Sequence, residues 1–292
     1  MSNEKIIKKF KFPIDLIEFP IKYSKEAITK KDDEGKSTLE VYLKGRYGPY
    51  HIETPRKYKL MDIRTLLANL YFTDYHKERI YTERFTNWLD LLEVEDTGFY
   101  RKAILNGLDY LERTIFYTPY IYDTEKQLRN SSFNFTDKGE IDWKNLPSFS
   151  VWRILDSYHH LSEEKKRKSE IKVILGTDFY ERIFKDKYFS LIDFKKVIPL
   201  KDISLNLYLF VHRQDPKYIE KFPVIFEDLK AHIGITTKNI TRARQIFEKA
   251  WQDIKDARLL LNYKYELKEK ENLIWFYIKK SLEKSVDNFK QA

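Results

Sequence analysis

Gly234-Ile235-Thr236-Thr237-Lys238-Asn239-Ile240-Thr241-Arg242-Ala243-Arg244-Gln245-Ile246-Phe247-Glu248-Lys249-Ala250-Trp251-Gln252-Asp253-Ile254-Lys255-Asp256 is the stretch that decides the fold. Its first four residues form a turn of helix-turn-helix type, with glycine where such turns need it. From Thr237 onward Ile240, Ala243, Phe247, Ala250, Trp251 and Ile254 recur at helical spacing and predict one long helix to about Asp256. At about 100° per residue, Lys238, Thr241, Arg242, Gln245 and Lys249 fall on or near the opposite side. Up to Lys249 that face reads as free of acid. Arg and Lys donate to guanine or phosphate, Gln pairs with adenine, and Thr does either. Arg244 lies on the flank, closer to the core, where it suits a phosphate contact or a structural role. The helix N-terminus itself favours a phosphate nearby. An ordinary amphipathic helix turns a similar face to water; the turn before this one and the hairpin after it favour a helix that reads DNA.

Outward from that helix, Leu259–Leu267 and Asn272–Lys279 alternate as strands around the polar turn Lys268-Glu269-Lys270-Glu271, a candidate wing. Lys264, Lys268 and Lys270 are its candidates for backbone or minor-groove contacts. Upstream, Lys201–Arg213 and Val224–Ile233 read as helices. Three helices followed by a hairpin is the element order of a winged helix, and a similar order occurs earlier in the chain. Helices are expected from Met61, over Glu83–Leu92, and from an N-cap at Thr97 to about Thr114. A hairpin follows, from Ile115–Tyr122 and Ser132–Phe135, with Pro119 pointing to an edge or bulge. The third of these helices turns Lys102, Asn106, Asp109 and Arg113 outward, with Phe99 at its entry. Lys102, Asn106 and Arg113 are therefore candidates for a weaker DNA contact, or for a contact with another protein. Phe149–Tyr158, Ile171–Leu175 and a helix near Phe179–Phe184 read as a connecting β-rich segment. The expected class is α+β with tandem winged-helix units: an N-terminal arm over 1–50, a first unit over 51–185 and a second, the main DNA reader, over 186–292.

Composition agrees with a folded chain. At 292 residues, about two domains are expected. Hydrophobic residues at 42% and aromatics at 16% exclude disorder throughout. No apolar run approaches the ~18 residues of a membrane helix, no secretory signal pattern opens the chain, and a cytoplasmic protein is expected. With no cysteine, disulfides and thiolate metal sites are excluded. Residues 193–292 carry 20 basic and 14 acidic side chains, two thirds of the net charge of +9. That asymmetry suits an anionic partner, nucleic acid first.

The chain resembles the plasmid replication initiator protein A family of winged-helix initiators. The resemblance rests on three stretches between about residues 55 and 280. The first is Arg84-Phe85-Thr86-Asn87-Trp88-Leu89-Asp90-Leu91-Leu92, leading through Asp96-Thr97-Gly98 into the 102–113 helix and on to Tyr120-Ile121-Tyr122-Asp123. The second is Phe189-Ser190-Leu191-Ile192-Asp193-Phe194 followed by Leu205-Asn206-Leu207-Tyr208-Leu209-Phe210. The third is the terminal helix-turn-helix and wing. The resemblance implies recognition of double-stranded origin repeats, DNA opening and recruitment of host replication proteins such as a helicase or its loader. It also implies a homodimer contact through the first unit.

Several motifs carry less. Gly35-Lys36-Ser37-Thr38 looks like the end of a P-loop, but the required upstream glycine is Lys30, and Asp32, Asp33 and Glu34 would repel phosphate. His159-His160 point to opposite faces of a strand and cannot share a metal. His51, His76, His212 and His232 show no ligand spacing. Glu163–Lys168 is a mixed charge run suited to a solvated hairpin tip, and Asp137, Glu140 and Asp142 lack a polymerase-like frame. No catalytic residue, metal or cofactor is therefore expected. The competing readings are a winged-helix transcriptional repressor, an adaptor for acidic proteins, and a metal-dependent nuclease, which the missing ligand set disfavours.

Overall fold

The computed structural model describes residues 9–18, 20, 28–31, 37–44, 49–118, 150–163, 168–187, 189–213, 220–268 and 272–278. The chain divides into two compact units, Met1–Asp202 and Ile203–Ala292. The first comprises β1 (Lys9–Pro13), α1 (Ile14–Glu18), β2 (Ile28–Lys31), β3 (Ser37–Lys44), β4 (Pro49–Thr54), α2 (Leu60–His76), β5 (Ile80–Arg84), α3 (Phe85–Leu91), α4 (Gly98–Glu112), β6 (Ile115–Thr118), β7 (Ser150–Arg153), β8 (Leu155–Glu163), β9 (Lys168–Leu175), α5 (Thr177–Phe184), β10 (Phe189–Asp193) and α6 (Phe194–Val197). The second follows with α7 (Asp202–His212), which begins at the division, then β11 (Lys221–Ile225), α8 (Phe226–Ile233), α9 (Ile240–Asp256), β12 (Tyr263–Lys268) and β13 (Leu273–Ile278). Helix and sheet are both abundant, as the α+β reading expects.

Each unit contains the series helix, strand, helix, helix, hairpin. In the first it is α2, β5, α3, α4 and the β8–β9 hairpin; in the second it is α7, β11, α8, α9 and β12–β13. Both series close a three-stranded antiparallel sheet in the same order, with the lone strand paired to the second strand of the hairpin: β5-β9-β8 and β11-β13-β12. This places the first unit's hairpin differently from the sequence reading. Ile115–Thr118 pairs instead with β4 and β7 in a five-stranded sheet, β2-β3-β4-β6-β7; Ser132–Phe135 lies outside the described residues. The segment read as a connector thus supplies the hairpin, and β6–β7 is an insertion that joins the N-terminal strands.

The N-terminal residues are accordingly no separate arm. β1 pairs with β10 from Lys9↔Asp193 to Pro13↔Phe189, and Lys11 bonds the Asp74 carboxylate on α2 through both its amide (3.2 Å) and its ammonium (3.7 Å). β10 belongs to the first unit for the same reason, so the division falls at Asp202/Ile203 and not near 185. Lone strands also precede α3 and α8, where the sequence reading runs helix from Glu83 and from Val224.

The core of the first unit forms around α2, whose buried Phe72 meets Trp88 of α3 at 5.1 Å between rings. Arg56 clamps Asp62 with two bonds of 2.6 and 2.8 Å and donates to the Asn106 carbonyl at 3.1 Å, tying the start of α2 to α4. Gly107 of α4 lies against Thr65 of α2, where an added Cβ would lie 2.5 Å from Thr65 Oγ1. Thr65 is fully buried and cannot swing clear. Gly107→Ala is therefore expected to destabilise the first unit by about 2 kcal/mol, measured by urea unfolding.

Burial pushes the hydroxyls of Tyr50, Tyr81 and Tyr110 above the ordinary tyrosine range. In the unfolded chain they ionise near pH 10; in the folded one they keep their protons. The folded state then binds more protons, so stability is full below pH ~10 and falls above it, by about 1.4 kcal/mol per pH unit for each tyrosine. Chemical unfolding between pH 9 and 11 is expected to show this decline, with tyrosinate absorbance rising together with unfolding.

Candidate nucleic-acid interface

The turn before α9 is built as its sequence demands. Gly234 ends α8 at φ 87°, a left-handed conformation that glycine adopts without penalty. The Ile235 amide reaches back to the Lys230 carbonyl at 2.9 Å, and Ile235 is buried. Helix α9 begins at Ile240, later than Thr237, because the Asn239 side chain caps it by accepting from the Arg242 amide at 3.0 Å. Lys238 thus sits on the turn, exposed, just ahead of the helix.

Ala243, Phe247, Ala250, Trp251 and Ile254 are buried. Phe247 packs edge-on against Phe226 (6.1 Å) and Tyr265 (5.0 Å), and Trp251 meets Tyr265 (5.2 Å) and Phe276 (5.7 Å). Ile240, expected on this face, is 37% exposed because it stands in the first turn, beyond the packed aromatic cluster. Thr241, Arg242, Gln245 and Lys249 are all exposed, and Arg244 is half-buried on the flank. The structure therefore leaves all five outward residues exposed, Lys238 on the turn and the other four spread over the first three turns of α9, whose first turn carries no acid.

Two features modify that face. Glu248 is exposed and stands seven residues, two turns, after Thr241, so an acid does lie on its edge. Its charge helps raise the Tyr265 hydroxyl above the ordinary range, after burial. Lys255, a cation in the last turn, points inward, bonding the carbonyls of Leu260 and Tyr263, and burial lowers its pKa. The anion-attracting part of α9 is thus its N-terminal half.

In the hairpin, Lys264 is exposed, and Lys268 lays its ammonium over the Trp275 ring at 5.8 Å; Lys270 lies outside the described residues. The strand alternation of β13 turns Leu273, Trp275 and Tyr277 to the outer face, while Ile274, Phe276 and Ile278 are buried. Lys221 of β11 approaches the same Trp275 ring at 5.5 Å. The sequence reading misses this basic and aromatic outer face, although the alternation of residues 273–278 carries the signal.

In the first unit α4 is capped by Thr97, and Ile104, Leu108 and Leu111 are buried. Lys102, Asn106 and Arg113 are exposed, and Phe99 is 74% exposed. Arg113 lies 3.8 Å from the Asp109 carboxylate, an exposed pair that leaves this face less cationic than α9. Among the remaining motifs, residues 164–167 of the charge run lie outside the described residues, while its ends, Glu163 and Lys168, pair across β8 and β9. Asp137, Glu140 and Asp142 also lie outside them. No helix among the described residues is long and apolar enough to cross a membrane. His51, without ligand spacing in the sequence, comes together with Glu40 and Glu53 on neighbouring strands.

No family model and no curated protein sequence matches the chain. In fold it is similar to crystal structures of two domains of RctB. A selenomethionine form of RctB domains 2 and 3 matches with a TM-score of 0.59 at 14% identity, covering 92% of this chain and 99% of that one. A second crystal structure of RctB domains 2-3 matches with a TM-score of 0.54 at 15% identity, covering 91% and 96%. At such identity the likeness is one of fold, and it extends over nearly the whole length of both chains.

Proposed function

We propose that this chain is a sequence-specific, double-stranded DNA-binding protein that initiates replication, with each helix-and-hairpin series acting as a winged helix. The observation that carries the proposal is the N-terminal half of α9. Lys238 on the turn and Thr241, Arg242, Gln245 and Lys249 over the first three turns stand exposed on a helix held from behind by Phe247 and Trp251, after a glycine turn and before a basic hairpin. Such a helix presents base-reading donors and phosphate-binding cations to a major groove. Lys264, Lys268 and Lys270 then serve the flanking backbone or minor groove, while Lys102, Asn106 and Arg113 make auxiliary DNA or subunit contacts. The likeness in fold to two domains of RctB, a replication initiator, supports initiation as the biological role.

In this reading the chain binds origin repeats in the cytoplasm, promotes opening and recruits a helicase or its loader, without catalysis of its own. Strand opening separates an initiator from a repressor. Permanganate reactivity of thymines in A·T-rich DNA beside a bound site is expected to rise with added protein. Tight binding with unchanged reactivity would replace initiation by repression.

A further inference from the structure

We propose that Glu40, His51, Glu53 and Tyr117 form a divalent-metal site on one face of the five-stranded sheet, with the first three as ligands. One donor atom from each of Glu40, His51 and Glu53 lies within 4.8 Å of the other two, close enough to share one ion. The topology explains the convergence. Glu40 on β3 stands directly opposite Glu53 on β4, and His51, two residues before Glu53 in the same strand, points to the same face. The site thus draws on two adjacent strands and needs no Cys or His pair at the spacings familiar from zinc motifs.

Burial distinguishes this group from acidic clusters on a surface. Glu40 is only 3% exposed, and His51 and Glu53 are half-buried. Like charges directly opposite across strands destabilise a sheet, and a divalent cation between them converts that repulsion into attraction. The outer partners are also in place. Tyr117 on β6 is the cross-strand neighbour of His51; its ring stacks on the imidazole at 4.0 Å and 13°. Burial first, and then the charge of Glu53, push its hydroxyl above the ordinary tyrosine range; a hydroxyl beside a ligating carboxylate is the kind of partner that orients it. Arg153 stands on β7, the strand next to Tyr117's β6 on the side away from β4, and its charge opposes that rise.

Two carboxylates and one imidazole suit a first-row transition ion such as Zn²⁺ or Mn²⁺ better than Mg²⁺ or Ca²⁺, whose ligands are oxygen. The ion would staple β3 to β4. This inference does not depend on the DNA-binding reading, since none of its residues lies on α4, α9 or a hairpin wing.

The test is isothermal titration of the chelator-treated full chain with Zn²⁺, Mn²⁺ and Mg²⁺, paired with thermal unfolding. One equivalent of Zn²⁺ is expected to bind, more tightly than Mn²⁺, with Mg²⁺ far weaker, and Zn²⁺ is expected to raise the unfolding midpoint. His51→Ala and Glu53→Gln should each weaken Zn²⁺ binding by at least about tenfold and remove the midpoint shift, and Tyr117→Phe should weaken it by about tenfold. Because His51 and Glu53 are half-buried, their variants keep the test valid even if Glu40→Gln fails to fold. Absence of binding by the full chain, which a cluster neutralised by Arg153 alone would show, overturns the site. So does a His51→Ala chain that binds Zn²⁺ as tightly as the unaltered one.

Discussion

Alanine at both Arg242 and Lys249 is expected to weaken binding to a specific duplex by about 1–3 kcal/mol for each side chain removed. The two side chains stand seven residues apart, two turns along α9 on the same face, and both are exposed. Neither packs against the core, so the unfolding free energy should move by less than about 0.5 kcal/mol. The salt dependence gives the sharper reading. Each phosphate that no longer meets a cation flattens the slope of log K against log salt by ~0.9, so the double variant should show a slope flatter by ~1.8 if both residues bind phosphate. If one of the two reads a base instead, affinity still falls, but the slope flattens by only ~0.9 and discrimination at one position of the site relaxes. Titrations at several salt concentrations, on specific and on random duplexes, distinguish these outcomes. Affinity and slope both unchanged would show that this face does not bind DNA.

Phe247→Ala is expected to cost about 3–5 kcal/mol of stability. Phe247 is 2% exposed and lies at the centre of the second unit's aromatic cluster, with rings of Phe226, Tyr265 and Trp251 on three sides. Those neighbours come from α8, β12 and α9 itself, so the phenyl ring holds α9 against both the preceding helix and the hairpin. Removing it leaves a cavity among large rigid rings that collapse poorly. DNA binding should fall in parallel with the folded fraction in urea, in contrast to the Arg242 and Lys249 variant, which should stay folded and bind more weakly. A near-neutral effect on stability would mean that α9 is not anchored through this ring.

Helices α4 and α9 are legible in the sequence because each carries an apolar stripe at helical spacing; Thr97 marks the start of α4, whereas the Asn239 cap of α9 is passed over and that helix is begun three residues early, at Thr237. The hairpin β12–β13 is legible from its alternation and polar turn. The lone strands β5 and β11 are not. Each runs directly into a helix through Arg84 or Ile225, neither of which makes a side-chain cap. Without a capping residue nothing in the local sequence separates the end of the strand from the start of the helix. The first unit's hairpin escapes the sequence reading for a different reason. Ile115–Thr118 has the β-branched and aromatic character of a hairpin strand, but its partners, β4 and β7, are distant in sequence, and local pattern cannot choose among distant partners.

At the site the same limit applies. Thr241, Arg242, Gln245 and Lys249 follow from helical geometry, so periodicity alone places these four together, while Lys238 stands on the turn before the helix. Glu248 follows from the same geometry, which puts it one turn beyond Gln245, and it corrects the expectation of a face free of acid. The basic and aromatic outer face of β11 and β13, and the group of Glu40, His51 and Glu53, arise from strand pairing, which spacing along the chain does not reveal.

The proposed function requires that the start of α9 reads a particular DNA sequence. Selection of bound molecules from random duplex DNA at about physiological salt tests it most directly, because non-specific attraction is suppressed there. Strong enrichment of a long site is expected, matching direct repeats of the kind an origin carries, and that enrichment should disappear when Arg242 and Lys249 are both alanine. No enriched sequence from the unaltered, folded chain would contradict the proposed function.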